Sequence, residues 1–122
     1  MGDGRIGVFG GNLPNIVVWD PVDNTLAKLK FAVGSDASVL LLGDGRVLIA
    51  GGKRPDRYTG YVFDPNGWKV TPTGGMKYSR LGGKLTLTQD GRALFFGGDY
   101  VHEFAWEPYG EAHTAEIFDP KT

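Results

Sequence analysis

The chain has 122 residues, 41% of them hydrophobic and 22% charged, enough for one small core and too little for two domains. A formal net charge of -1 gives no electrostatic case for nucleic acid or an anionic membrane surface, and no apolar run approaches the length that spans a bilayer. Zero cysteines exclude disulfides and thiolate metal sites without fixing a compartment, and Met1 runs into Gly-Asp-Gly-Arg with neither the basic start nor the apolar stretch of a secretory leader.

In chain order, the first element is a motif that returns twice. Gly2-Asp3-Gly4-Arg5 is followed by a short apolar run that closes on Gly10-Gly11. The same succession appears at Gly43 to Arg46 closing on Gly51-Gly52, and at Gln89 to Arg92 closing on Gly97-Gly98. From the Gly before the Arg to the first Gly of the pair, the spacing is six residues each time. A second landmark follows each pair: Trp19-Asp20-Pro21, Phe63-Asp64-Pro65 and Phe118-Asp119-Pro120. A period of about 40 to 50 residues belongs to propellers or solenoids, whose single unit cannot bury its own apolar face.

Within a unit the pattern predicts strands and no helix. Ser38 to Leu42 and Val47 to Ala50 flank Asp44-Gly45, and Leu85 to Thr88 and Ala93 to Phe96 flank Asp90-Gly91. Asp-Gly there predicts a tight hairpin of type I′, which needs positive φ at both central residues. Val47 to Ala50 and Ala93 to Phe96 are continuously apolar, as in a strand covered on both faces. A third strand ends at each aromatic-Asp-Pro triplet (Ile16 to Trp19, Tyr61 to Phe63, Ala115 to Phe118), because proline cannot donate to the ladder. A fourth begins around Leu26 to Phe31 and Trp68 to Thr71. Four strands per unit make a propeller blade.

The glycine pair after an apolar strand, the aromatic-Asp-Pro triplet and the following Trp68 together resemble the kelch repeat. Thr71-Pro72-Thr73-Gly74-Gly75-Met76 with Arg80, then Asp90 to Gly98, is similar to bacterial kelch proteins related to the galactose oxidase propeller. One departure is Leu26, which stands near the place where the first unit should carry its Trp. The resemblance implies an all-β fold: a kelch-type β-propeller segment of about three four-stranded antiparallel blades, the first and third incomplete. Residues 1–31 form blade one without its inner strand, 32–73 a complete blade two, and 74–122 blade three without its outer strand. Such a set does not close a ring of six or seven blades. The preferred expectation is a segment with further blades in the same polypeptide; the other is a homodimer closing the ring head to tail. The resemblance also permits an extracytoplasmic location.

Candidate functional residues lie where the repeat breaks. From glycine pair to Asp the distance is nine residues in the first unit, twelve in the second and twenty-one in the third, and insertions in repeat proteins collect on a binding face. The second loop is basic and carries Lys53, Arg54, Arg57 and Tyr58; the third carries Tyr100, His102, Glu103, Trp106, Tyr109 and His113. Tyr100, Trp106 and Tyr109 suit a recognition surface for a protein or carbohydrate ligand, with carboxylates as a polar rim. Arg80 is expected to bond nearby carbonyls or an acid, or to meet an anionic ligand in a central funnel. The recurring Trp19, Phe63, Phe118 and Trp68 are expected to pack between blades.

No metal site is expected, since His-Glu neighbours on a strand point apart and no ligand spacing is met. No cofactor is expected either. The radical-copper centre that the resemblance brings to mind requires a cysteine cross-linked to tyrosine, and this chain has no cysteine. There is also no Gly-x-Ser-x-Gly elbow and no convincing triad. The sequence therefore reads as a binding or scaffold module, the alternative being a fragment of a galactose-oxidase-like or sugar-epimerase-like carbohydrate-active enzyme.

Overall fold

The Asp-Gly-Arg motifs at Asp44 and Asp90 each turn one strand back on the next. A computed structural model of the chain describes residues 3–10, 14–33, 35–53, 59–76, 80–100, 110–111 and 114–121. These form three antiparallel meanders and no helix. The first joins β1 (Ile6–Val8), β2 (Asn15–Asp20) and β3 (Thr25–Lys30) in that order. The second joins β4 (Ser35–Leu41), β5 (Val47–Lys53), β6 (Thr59–Asp64) and β7 (Lys69–Gly75). In the third, β9 (Ala93–Phe96) lies between β8 (Lys84–Leu87) and β12 (Ala115–Phe118). A hairpin of β10 (Asp99–Tyr100) and β11 (Gly110–Glu111) projects from the connection between β9 and β12. The sheets, here called blades one to three, form an all-β, propeller-like segment.

The turns differ from the type I′ expectation. Leu42 N donates to Arg46 O at 2.8 Å and Gly45 N to Leu42 O at 3.1 Å, which closes a three-residue loop. Only its glycine has positive φ, +90° at Gly45, and Thr88 to Arg92 repeats the geometry with Gly91 at +84°. The reason is the aspartate. Asp44 Oδ1 accepts the Arg46 N–H at 3.1 Å, so the Asp side chain takes a bond a tighter turn would give to backbone, and Asp44 keeps its normal φ.

Period-2 alternation sorts each strand into two faces, and the blades stack through them. Ile16 and Val18 of blade one meet Val47, Ile49 and Phe63 of blade two, all buried. Phe63 is fully enclosed, with Phe9 edge-on at 5.9 Å and Trp68 at 5.6 Å. The opposite face of blade two, Leu48 and Val62, packs on Ala93 of blade three, with Phe118 against it. Three of the four recurrent aromatics thus sit between blades. Trp19 does not: it is paired across strands with Ile6 and Leu26, on the face of blade one turned away from blade two. In blade one the residue at the place of Trp68 is Asn24 rather than Leu26. Both follow the turn's Asp by four residues and both have positive φ, 56° and 53°.

Candidate functional site on the loop face

In a meander the connection from second to third strand and the crossing to the next blade leave by the same end. The described ends of these connections (Gly10 and Pro14, Gly52 and Thr59, Gly97 and Thr114) therefore share one face with Arg80 to Gly83, where the chain enters blade three. That segment runs between two glycine pairs, which explains why they are glycines. Gly52 N donates to Arg80 O at 2.9 Å, and a Cβ on Gly51 would collide with that carbonyl. On the other side a Cβ on Gly98 would lie 2.9 Å from both Gly83 N and Leu81 O. Gly82 N donates to Asp36 O at 3.0 Å and the Ser38 hydroxyl to Gly83 O at 2.7 Å, so blade two also holds the segment through β4. The pairs are gaps that admit another backbone.

Arg80 is the centre of this arrangement, with 0% of its surface exposed. Its Nη1 donates to the carbonyls of Gly97 at 3.0 Å and Thr114 at 2.8 Å. Nη2 donates to the Thr114 hydroxyl at 2.8 Å and Nε to Glu116 Oε2 at 3.0 Å. The guanidinium also lies 5.7 Å from the centre of the Phe95 ring. Gly97 is where the long insertion leaves β9, and Thr114 is where it returns to β12. One buried side chain thus fastens both ends. Leu81 adds a further tie, donating to Asp99 O at 2.7 Å and accepting from Asp99 N at 3.0 Å at the base of the β10–β11 hairpin.

Of the residues singled out from sequence, Arg80 is therefore placed at the two described ends of the insertion, bonded to carbonyls and a glutamate. Tyr100 lies in β10, paired with Gly110. Arg54, Arg57, His102, Trp106 and Tyr109 lie outside the described residues. Sequence reasoning did not single out Glu116 or Thr114. A signal for Glu116 existed: in Ala115 to Phe118 it shares a strand face with inward-turned Phe118, and an acid there calls for a cation. Among the described residues no three His, Cys, Asp or Glu side chains gather as metal ligands.

A second concave feature lies at the blade two–three junction. A groove of about 560 Å³ is lined by Thr71, Thr73 and Met76 on one side and Glu116, Phe118 and Pro120 on the other. At the blade one–two junction the corresponding place is taken by β7, whose Val70 packs into the interface. The groove is the space that a three-stranded sheet leaves beside a four-stranded one.

No family model and no curated protein matches this chain. Among solved structures it is similar to a fungal alcohol oxidase of the AA5 family, described as catalytically diverse and solved in complex with copper. The likeness has a TM-score of 0.69 at 17% identity, and covers 97% of this chain and 26% of that one. The chain thus has a galactose-oxidase-like β fold and spans about a quarter of that enzyme's length.

Proposed function

We propose that this chain is a kelch-type binding module that recognises a protein or carbohydrate ligand through the loop face. The observation that supports the reading most is the fastening of the insertion by Arg80 at Gly97 and Thr114. A solvated excursion needs no buried cation at its root, whereas a recognition loop gains affinity when its base is rigid. The insertion offers Tyr100, Trp106 and Tyr109 as anchors, and the neighbouring loop offers Arg54 and Arg57.

Fluorescence titration of the whole chain against galactosides, glucosides, uronides and a peptide library tests this. Saturable binding that is lost in Trp106→Ala or Tyr100→Ala, at unchanged melting temperature, is the expected result. Binding indifferent to both substitutions refutes the loop-face reading.

The likeness to an AA5 oxidase supports a second reading, in which the chain is part of a carbohydrate-active enzyme. Its reacting groups would then come mostly from outside these residues, and a fold alone does not carry an activity. That reading expects ligand binding to depend on polar side chains of the inner strands rather than on the insertion.

A further inference from the structure

The three Asp-Pro turns share one geometry and differ at one side chain. Val22 N, Asn66 N and Lys121 N each donate to Oδ1 of the aspartate two residues earlier, at 2.9 Å in every case. The second turn alone sets an asparagine there and follows it with glycine, and both Asn66 and Gly67 are exposed. An asparagine side-chain amide lies within reach of the next residue's backbone nitrogen, and glycine puts no side chain in the way. These turns lie at the end of the blades opposite the loop face.

What distinguishes Asn66 from a bare Asn-Gly pair is its partner. Arg5 and Arg46 reach forward from their Asp-Gly turns to the Asp-Pro turn of the next blade. Arg46 Nη2 donates to the Pro120 carbonyl at 3.1 Å, and Arg5 Nη2 donates to Asn66 Oδ1 at 3.2 Å. Asp3 aims the Arg5 guanidinium, its Oδ2 accepting from Nε at 2.7 Å. A cation donating to Oδ1 draws electron density from Cγ and stands where negative charge develops when a nucleophile adds there. The nucleophile is adjacent: among the described residues, Gly67 N donates to no backbone carbonyl.

Comparable pairs elsewhere are guarded. Gly45 N and Gly91 N are held by the carbonyls of Leu42 and Thr88 at 3.1 Å, and the residues before them, Asp44 and Asp90, carry carboxylates, which are poor electrophiles. Asn24 Oδ1 accepts from Trp19 Nε1 at 3.0 Å, but the β-branched Thr25 follows it, with its N–H donated to Asp23 Oδ1 at 3.2 Å.

We propose that Asn66 is a self-modification site, converting spontaneously to a carboxylate, and that Arg5 both promotes the step and pairs with its product. Gly67 N loses its proton to solvent base and bonds to Asn66 Cγ. The Cγ–Nδ2 bond breaks, and ammonia leaves with a proton from water. The cyclic imide then takes up one water. Opening at Cγ restores the backbone with an aspartate side chain; opening at the backbone carbonyl carbon leaves an isoaspartyl link. Net, an amide and a water become a carboxylic acid and ammonia, without oxidant or reductant. The contact of Arg5 with a neutral amide thereby becomes an ion pair between blades one and two. This inference is independent of the loop-face ligand.

Peptide mapping by mass spectrometry tests it, on the intact folded chain kept in mildly alkaline buffer and sampled over weeks. The expected result is conversion at Asn66 ahead of Asn15 and Asn24, with isoaspartate found beside aspartate. Arg5→Ala and Arg5→Gln, both checked for folding by circular dichroism, should slow that conversion about threefold, a modest factor because the pair is partly exposed. In urea, where Arg5 no longer faces Asn66, wild type and variants should convert at one rate. An Asn66 that keeps its amide no less well folded than when Asn15 or Asn24 has already lost its own overturns the proposal. So does equal or faster conversion in both folded Arg5 variants.

Discussion

Arg80 and Thr114 are joined twice, by Nη1 to the Thr114 carbonyl and by Nη2 to its hydroxyl, both at 2.8 Å. The pair spans blade three from the crossing segment to β12, and Glu116 completes it through Nε at 3.0 Å. A buried guanidinium in this setting is costly to desolvate and tolerable only because each bonding edge is met. Arg80→Ala removes the cation and leaves buried carbonyls and a half-buried carboxylate without it. The expected loss is about 3–5 kcal/mol. Arg80→Lys rescues little, since one ammonium cannot reproduce the planar fork. Chemical denaturation of both variants checks this; a lysine variant of near wild-type stability would show that charge alone matters.

Gly51 and Gly45 separate two reasons for glycine. Both have positive φ, +74° and +90°, but a Cβ at Gly45 meets nothing within 4 Å, whereas at Gly51 it runs into the Arg80 carbonyl. Gly45→Ala should cost only the left-handed penalty, about 1–2 kcal/mol. Gly51→Ala should add about 1–3 kcal/mol of overpacking, because the obstructing atom is backbone held by Gly52. Paired denaturation curves read the difference directly, and equal losses would mean that the crossing segment yields.

How much of this was legible follows from the range of each cause. Strand positions and the four-strand unit could be read because alternation, Asp-Gly and Asp-Pro are local signals: β6 ends at Asp64 immediately before Pro65. The turn type was misjudged because a side chain intervened, Asp44 taking the Arg46 N–H. The glycine pairs could be recognised as structural, but their partner could not, since Gly52 and Arg80 are brought together only by the blade crossing. Trp19 recurs in register with Phe63 and yet faces outward, because a repeat signals a place in the blade and not whether a neighbour covers it. Glu116 and Arg80 are separated by 36 residues, beyond any local pattern.

The three turn aspartates make stability acid-sensitive. Asp3 is held below its ordinary 3.8 chiefly by the side-chain bond from Arg5, with help from the Arg5 N–H. Burial pulls Asp44 upward, but the Arg46 N–H and guanidinium outweigh it and the net shift is down. Asp90 is lowered first by the Thr88 hydroxyl, then by Arg92. A carboxyl whose folded pKa is depressed adds stability that is complete above its unfolded value and is lost as pH falls through the folded one. Melting temperature should therefore hold down to about pH 4 and then fall. The triple variant Asp3→Asn, Asp44→Asn, Asp90→Asn should fall less steeply, and added salt should shrink the difference, because these carboxylates face solvent. Identical acid profiles would assign the loss to other groups.

The forward bond of Arg46 permits a local test with an internal control. Its Nη2 holds the Pro120 carbonyl at 3.1 Å, while Asp44 Oδ2 aligns the guanidinium through Nε at 2.8 Å. The side chain is about one-third exposed, so Arg46→Ala should cost only about 1 kcal/mol after solvent screening. The consequence should nevertheless be concentrated. Lys121 N donates to Asp119 Oδ1 at 2.9 Å in the turn that Arg46 braces, and Val22 N makes the same 2.9 Å bond to Asp20 in blade one. Amide exchange in Arg46→Ala should accelerate at Lys121 and stay unchanged at Val22. Equal acceleration at both would mean that the substitution loosens the whole stack rather than the junction between blades two and three.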